Sequence, residues 1–397
     1  MHAILTIFRK EWKDVMRDRR TLVTMIVVPL ALFPVLLNIS SKFVKKQITE
    51  AQSRVLDIGV VSHDNGDLLE GLIAERDDLR MIEITSPEKG KQLVRDDSLD
   101  GLVVLTADFD QRIRDLREGA LIFYFKTKDD SRIEKRRILE VLTDFRETLL
   151  AQRFRNLNLD RSLLSVLAIE ESDLATQQEK LGNMVGGFLP YIFIIFCFMG
   201  SMYPAIDLAA GEKERGTLET LLCTPVDRLH ILIGKFGIVT LVGLGAALIS
   251  MFGLFLGVRL NADLPQDLLA AVMTMLELKS IILVISLLVP LSIFFSAIEL
   301  ALSMMAKSFK EAQSSINPMM ILVIVPVFIG LMPGMELNWT MALIPVLNIS
   351  LASKGIIAGT VQLVPLLIVF GSSILYALVS LAICARFFDR EEILFRA

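Results

Sequence analysis

A carboxylate inside a long apolar run is the residue of this sequence with the most chemistry to offer. Glu299 falls about midway to late in such a run, and Ser292, Ser296 and Ser303 flank it at steps of three or four. In a helix that spacing gathers the acid and the hydroxyls on one face. An ionisable group within a membrane costs several kcal/mol, so each one is a candidate site by default. Carboxylate and hydroxyl oxygens together suit a hard cation. A plainer role competes with this one: an acid paired to a neighbouring helix, or lying near the membrane interface. The next apolar run opens with Ser314, Ser315, Asn317 and Pro318, which makes Asn317 a further candidate along a substrate path.

The second chemically dense stretch runs from Asp207 to Arg228. Glu212, Glu214, Arg215 and Glu219 alternate with Leu218, Leu221 and Leu222, whose helical spacing makes one face apolar. Thr224 followed by Pro225 reads as an N-cap and a first helical position, with Asp227 supporting it. The segment is therefore expected to be helix, corner, new helix. A solvated loop that obeys the positive-inside rule is the bland alternative. Acidic residues contribute little to that rule, and here they are no less frequent than the bases. A docking surface explains them better.

Other chemistries find no footing. His2, His63 and His230 are far apart and lack metal-ligand spacing. Cys197 and Cys384 lie in apolar runs and Cys223 in a charged loop, which gives no disulfide framework. No catalytic residues and no metal ligands are expected. No phosphate-binding loop is present: Gly90-Lys91 and Gly234-Lys235 lack the earlier glycine and the following hydroxyl. Gly243-Leu244-Gly245 lies inside an apolar run and fits close helix packing. An intramembrane protease would need a zinc-binding His-Glu-x-x-His or a Ser–His pair in the spans, and neither occurs. A net charge of −4 without a long basic stretch argues against nucleic acid.

The elements that must position these groups follow from segregation along the chain. Of 397 residues 53% are hydrophobic, yet 22% are charged, and the two sorts fall in different places. Six runs approach the roughly 20 apolar residues a membrane helix needs: 21–39, 184–206, 230–258, 280–306, 316–332 and 361–387. Pro29, Pro34, Pro190, Pro290 and Pro326 within them predict kinks rather than breaks. Residues 1–20 precede the first run, with Leu5, Phe8, Trp12 and Val15 at steps of three and four among bases. That is a basic amphipathic helix, either a topology anchor or an elbow that moves with a partner. The basic segment is too long, and the apolar run lacks the small-residue site, for a cleavable signal peptide.

Lys and Arg concentrate before the first run, at Lys213, Arg215, Arg228 and Lys235, at Lys307 and Lys310, and after the sixth run. The alternate loops carry little besides Arg259, Lys279 and Lys354. By the positive-inside rule both termini, the 207–229 segment and the 388–397 tail are cytoplasmic. Residues 40–183, polar and charge-rich, then form an outer domain. Its β-rich runs at 55–61, 102–105 and 121–125, with helical stretches at 68–76, 109–117 and 131–159, predict a small sheet covered by helices. Residues 341–357 are too short to cross comfortably, and are expected to re-enter from outside or to lie at the interface. The fold class is thus an α-helical integral membrane protein with six transmembrane helices and an extracytoplasmic mixed α/β domain between the first two.

The run Glu212-Lys-Glu-Arg-Gly216-Thr-Leu-Glu-Thr-Leu-Leu222, then Thr224-Pro225-Val226 and Gly234-Lys235, resembles the coupling segment of ABC-2-type transporter permeases. The likeness extends to Arg17-Asp-Arg-Arg-Thr21, to the placement of the outer domain and to the proline-rich last third. Within the family it is to permease subunits of NatAB-type sodium exporters. The resemblance implies a dimer of six-span subunits, homodimeric or with a related chain, and two cytoplasmic ABC ATPase subunits docked below. It puts Glu212, Glu214, Arg215, Gly216, Thr217, Leu218, Leu221 and Leu222 at the ATPase junction. It also implies that ATP and magnesium sit on the partner ATPase, with no cofactor bound by this chain, in a bacterial inner membrane. The expected function is export of sodium or another small cation. An amphiphile such as a drug or lipid is the rival cargo, since leucine-rich spans suit it, and a non-transporting sensor with an outer ligand-binding domain is the rival class.

Overall fold

The structure, a computed structural model, describes residues 2–61, 66–126, 131–160, 176, 188–261, 269, 272–273, 277–332 and 334–389. The chain forms two compact units, one of Met1–Ser41 with Asp173–Ala397 and one of Lys42–Ser172.

The first helix, α1 (His2–Val15), buries Ile7, Glu11 and Val15 and leaves Leu5 exposed. It stops short of the expected Arg20 because Asp18 starts a new helix. The Asp18 carboxylate accepts from the Arg20 and Thr21 N–H groups, each at 3.1 Å, and from the Thr21 hydroxyl at 2.6 Å. It thereby caps α2 (Arg19–Leu22). A π-helical stretch, Val23–Val27, then leads into α3 (Val28–Ser53).

In the second unit the described elements are β1 (Leu56–Val61), α4 (Gly66–Ala74), β2 (Leu79–Glu83), α5 (Pro87–Arg95), β3 (Gly101–Leu105), α6 (Phe109–Arg114), β4 (Leu121–Tyr124) and α7 (Ser131–Asn156). The strands form a sheet in the order β2-β1-β3-β4, with β1 parallel to β2 and β3, and β4 antiparallel to β3. Apolar residues of β1 face both ways, as a strand buried on both sides requires. Leu56, Ile58 and Val60 join Leu69 and Ile73 of α4 and Ile138, Val141 and Phe145 of α7. Val61 joins Val94 of α5 and Leu102 on the opposite face. At Gly90 a Cβ would lie 2.6 Å from Leu102, so α5 approaches the sheet as closely as glycine permits. Asp57 and Arg80 are register partners across β1 and β2 and form a bidentate pair at 2.6 and 2.7 Å. Alternating strand and helix were expected here, but β2 and α5 were not. A cleft of about 540 Å³ lies between α6 and α7, lined by Phe109, Leu121, Phe145, Leu149, Arg146 and Arg153.

The first unit continues with α8 (Phe188–Ile206), a π-helical turn at Asp207–Gly211, one α-helical turn at Glu212–Glu214 and α9 (Thr217–Leu222). Then come α10 (Arg228–Leu260), α11 (Leu278–Met305), α12 (Phe309–Leu331), α13 (Leu347–Ala358) and α14 (Leu363–Asp389). Among the described residues, six helices are long and apolar enough to cross a membrane: Arg19–Phe43, Phe188–Glu214, Arg228–Leu260, Leu278–Met305, Phe309–Leu331 and Leu363–Phe388. Residues 184–187 of the expected second span lie outside the described residues. The helices run on through Pro34, Pro290 and Pro326.

The second of these spans is the hub: 78% of its apolar window is buried, against 17% for the first and 22% for the fifth. Small residues let α8 and α10 meet. A Cβ on Gly200 would lie 2.5 Å from the Ala246 Cβ, and one on Gly243 2.8 Å from the Cys197 carbonyl. The Gly243–Gly245 stretch thus packs helices, as its position in the sequence suggests. Helix α13 is about 18 Å long at 1.5 Å per residue, too short for a crossing of roughly 30 Å. It is entered through a tight turn in which Val346 has φ 70° and the Leu347 N–H reaches the Pro345 carbonyl at 2.9 Å. Asn348 then bonds Ser372 (3.0 Å) and Ser373 (3.2 Å) of α14.

Candidate functional site

Two buried polar groupings carry the chemistry of the bundle. The first lies where α1, the bend after α8 and the start of α10 converge. Gly234 and Gly237 open a notch on α10: a Cβ on Gly234 would sit 2.8 Å from Ile7, and Phe8 packs beside Gly237. With α1 seated there, Glu11 turns inward. Lys235, only 1% exposed, lies in the same turn of α10 as the notch. Its ammonium donates to the Leu208 carbonyl of the π-helical turn at 2.8 Å and to Glu212 Oε2 at 2.5 Å. Glu11 Oε1 is 3.6 Å away. Lys10, half exposed, closes the group by donating to Glu11 Oε1 and Glu212 Oε1, each at 3.1 Å.

Two acids therefore meet two bases. Burial alone would be unfavourable for such charges, and breaking one partnership strands the rest. Burial opposes the charge on Lys10, but Glu212 and Glu11 outweigh it and hold its ammonium above the usual lysine range. This grouping adds ionic contacts to the apolar packing of Ile7, Leu208 and Ile231 that already joins the N-terminal helix, the bend and α10.

The rest of the bend faces outward. Arg215 folds back on Asp207 at 2.9 Å, and that hydrogen bond keeps its guanidinium above its ordinary value. Glu214 Oε2 accepts from the Phe309 N–H at 2.8 Å, satisfying a free donor in the first turn of α12. Gly216, at φ 68° and ψ 6°, makes the left-handed corner into α9, a conformation that costs a side-chain-bearing residue. The Thr217 hydroxyl donates to the Glu212 carbonyl at 3.2 Å. Leu218 is buried and Leu221 packs beside it, whereas the side chain of Leu222 lies outside the described residues. The expected helix, corner, helix is present, but its second helix begins at Arg228 with Asp227 as N-cap. Thr224 does not cap it. Its hydroxyl donates back to the Leu221 carbonyl at 2.6 Å, closing α9 instead.

The second grouping is on α11. Glu299, Ser292, Ser296 and Ser303 are all fully buried. Ser303 bridges to the π-helical turn, accepting from the Ala210 N–H at 3.3 Å and donating to the Ile206 carbonyl at 3.4 Å. Ser292 donates to the Thr240 carbonyl of α10 at 2.8 Å. Glu299 has no hydrogen-bond partner for either carboxyl oxygen, and the Ser296 and Thr240 hydroxyls have none either. Its neighbour on α8 is Ser201, whose hydroxyl proton is directed to the carbonyls of Cys197 (2.9 Å) and Phe198 (3.0 Å) of its own helix. Asn317 is exposed on α12. Among the described residues no three His, Cys, Asp or Glu side chains gather to hold a metal ion.

Of the residues singled out in the sequence, Glu212 stands in the first grouping and Ser296 and Glu299 in the second, with Ser303 between them at the bend. Glu11, Lys10, Lys235 and Thr240 belong to these groupings without having been singled out. A lysine within a long apolar helix was the available signal for Lys235.

Residues 19–386 match the family model described as ABC-2 family transporter protein. The ABC transporter permease protein NatB of Bacillus subtilis (strain 168) is 26% identical over 361 residues, 90% of each chain. An uncharacterized protein of Methanocaldococcus jannaschii is 25% identical over 328 residues, 82% of this chain and 75% of that one. No solved structure matches.

Proposed function

This chain belongs to the ABC-2 family of transporter proteins, and from that premise we propose that it is the membrane-spanning subunit of an ATP-driven exporter of sodium or another small cation. As a multi-pass ABC transporter permease it works with a partner ATPase. In our reading two ATPase copies dock on the bend, where they hold ATP and magnesium, and two permease copies pair in a bacterial inner membrane. Both termini then lie in the cytoplasm, the α/β unit lies outside, and α13 re-enters the bundle from that side.

One observation carries the proposal. The charged bend is fastened by Glu212 to Lys235 of α10 and to Lys10 of α1, while Arg215, Thr217 and Glu219 stay exposed. A push on the exposed face is delivered to two helices at once through buried, directional contacts. The unpartnered Glu299 and the likeness to NatB favour a cation as cargo. The apolar cleft between α6 and α7, with Arg146 and Arg153 among its lining, favours an anionic amphiphile as the second reading.

Vesicles holding the permease and its ATPase partner test the choice: ATP-driven efflux of sodium is expected. Efflux of a lipid-like probe without sodium movement selects the second reading. Mild-detergent purification from the native membrane should bring down a phosphate-loop ATPase that is lost when Glu214 and Gly216 are altered. If no ATPase co-purifies under several mild conditions, the coupling role is wrong.

A further inference from the structure

We propose that Glu299, with the Ser296 and Thr240 hydroxyls, is a dehydrated site for one monovalent hard cation, built within a single copy of the chain from α10 and α11 against α8. The inference rests on the export reading and names where its cargo is held.

Three oxygen-bearing side chains of α10 and α11 hold buried oxygens without a hydrogen-bond partner: both oxygens of Glu299, the Ser296 hydroxyl and the Thr240 hydroxyl. Glu299 and Ser296 are fully buried. Ser296 is three residues before Glu299 on α11, so the two share a face. Thr240 belongs to the same neighbourhood, because its carbonyl takes the Ser292 hydroxyl one turn before Ser296. The flanking hydroxyls are committed elsewhere, Ser201 to its own helix and Ser303 to the π-helical turn. Lys235, the buried base of the other grouping, is engaged by Leu208, Glu212 and Glu11. No described cation neutralises Glu299. A carboxylate left charged and alone in an apolar interior is strongly unfavourable, so Glu299 takes up either a proton or a cation, and at the proposed site the cation displaces the proton.

The donor set fixes the class of ligand. One carboxylate supplies one negative charge, which a monovalent ion cancels, whereas a divalent ion would leave it overcompensated at a far larger desolvation cost. Carboxylate and hydroxyl oxygens are hard ligands that suit sodium or lithium and offer nothing to a soft metal. The Ser303 contact lies one turn away on the same helix, so the site and the bend share α11 without sharing ligands.

The test is binding of radioactive sodium to the full-length chain in lipid nanodiscs, with lithium, potassium and calcium as competitors. Saturable sodium binding is expected, displaced by lithium before calcium and abolished by Glu299→Gln. Ser296→Ala and Thr240→Val are expected to weaken it about five- to tenfold each, the scale of one ligand contact. Ser250→Ala should change nothing, since that buried hydroxyl serves its own helix. Unaltered binding in Glu299→Gln overturns the site. So does a protonated-carboxyl infrared band, absent in Glu299→Gln, that persists at saturating sodium. If Glu299→Gln fails to fold, the two hydroxyl variants decide: normal sodium affinity in both overturns the site. The export reading fails separately. ATP-driven sodium efflux surviving in Glu299→Gln vesicles removes the site and leaves the exporter. Sodium bound at Glu299 with no ATP-driven movement keeps the site and removes the exporter of sodium.

Discussion

The buried acids of this bundle, Glu11 with Glu212 at the bend and Glu299 by itself on α11, are treated in opposite ways. At the bend, Glu212 meets Lys235 and Lys10 at 2.5 and 3.1 Å, and Glu11 shares the same bases. Inside the bundle, neither carboxyl oxygen of Glu299 has a hydrogen-bond partner, and Ser201 beside it donates to its own helix. Burial is near complete in both places, so burial does not separate a structural charge from a working one. Pairing does. A paired buried charge resists change because removing one member strands the others, whereas an unpaired one is open to a ligand.

Lys235→Met breaks the comparison most forcefully. It leaves Glu11 and Glu212 buried with only half-exposed Lys10 to face them, at a cost of about 3–5 kcal/mol. Thermal unfolding in detergent should show a large drop. Glu299→Gln should leave the unfolding temperature unchanged or raised in sodium-free buffer, since it removes a charge without a partner. If the two variants melt alike, the distinction between the acids is wrong.

A smaller effect is expected at Gly216, whose left-handed corner shapes the exposed side of the bend. Gly216→Ala should cost about 1 kcal/mol and weaken association with the ATPase. Gly216→Asn should be milder because asparagine tolerates that conformation better. Titrating purified ATPase onto nanodisc-held variants measures both; equal affinities would mean the corner plays no part in docking.

The smallest and most local effect is pH-dependent. The Lys10 ammonium is held above its ordinary value by Glu212 and Glu11, against the opposing effect of burial. Its contribution is therefore complete below the ordinary lysine pKa of 10.5 and lost as pH rises through the higher folded value. Trp12 lies on α1 beside this group. Its fluorescence, read in a Trp339→Phe background, should shift at alkaline pH before global unfolding. Lys10→Met should abolish that early phase, and an unchanged titration would show that Lys10 does not hold α1 in place.

Composition made the membrane class legible, because long apolar runs can be satisfied in few other ways. The ABC-2 likeness rested on the bend, and the match over residues 19–386 bears it out. Strand β2 escaped notice because Leu79-Arg-Met-Ile-Glu83 alternates charge with apolar residues at the sheet edge, and α5 because Pro87–Arg95 carries few apolar residues. Glu299 was visible as an acid where acids are costly, but its solitude was not, since that depends on which way Ser201 and Ser303 spend their protons. Lys235 was counted as a loop base because the end of a span has no sharp mark in sequence. Glu11 sits on the rim of an amphipathic pattern, and only the glycine notch on α10 decides that it turns inward.

The π-helical turn at Asp207–Gly211 has a mechanical meaning beyond the carbonyl it offers to Lys235. An α-helix advances about 100° per residue, and a π-bulge slips one residue out of that phase. Upstream, α8 is indexed by Gly200 and Cys197 against α10; downstream, Glu212 is indexed by Lys235. The slip lets the two indices be set independently, as a keyed joint does between two shafts. Deleting one residue from the turn would nearly keep the composition and hydropathy of the span, yet would rotate either Gly200 or Glu212 out of mesh.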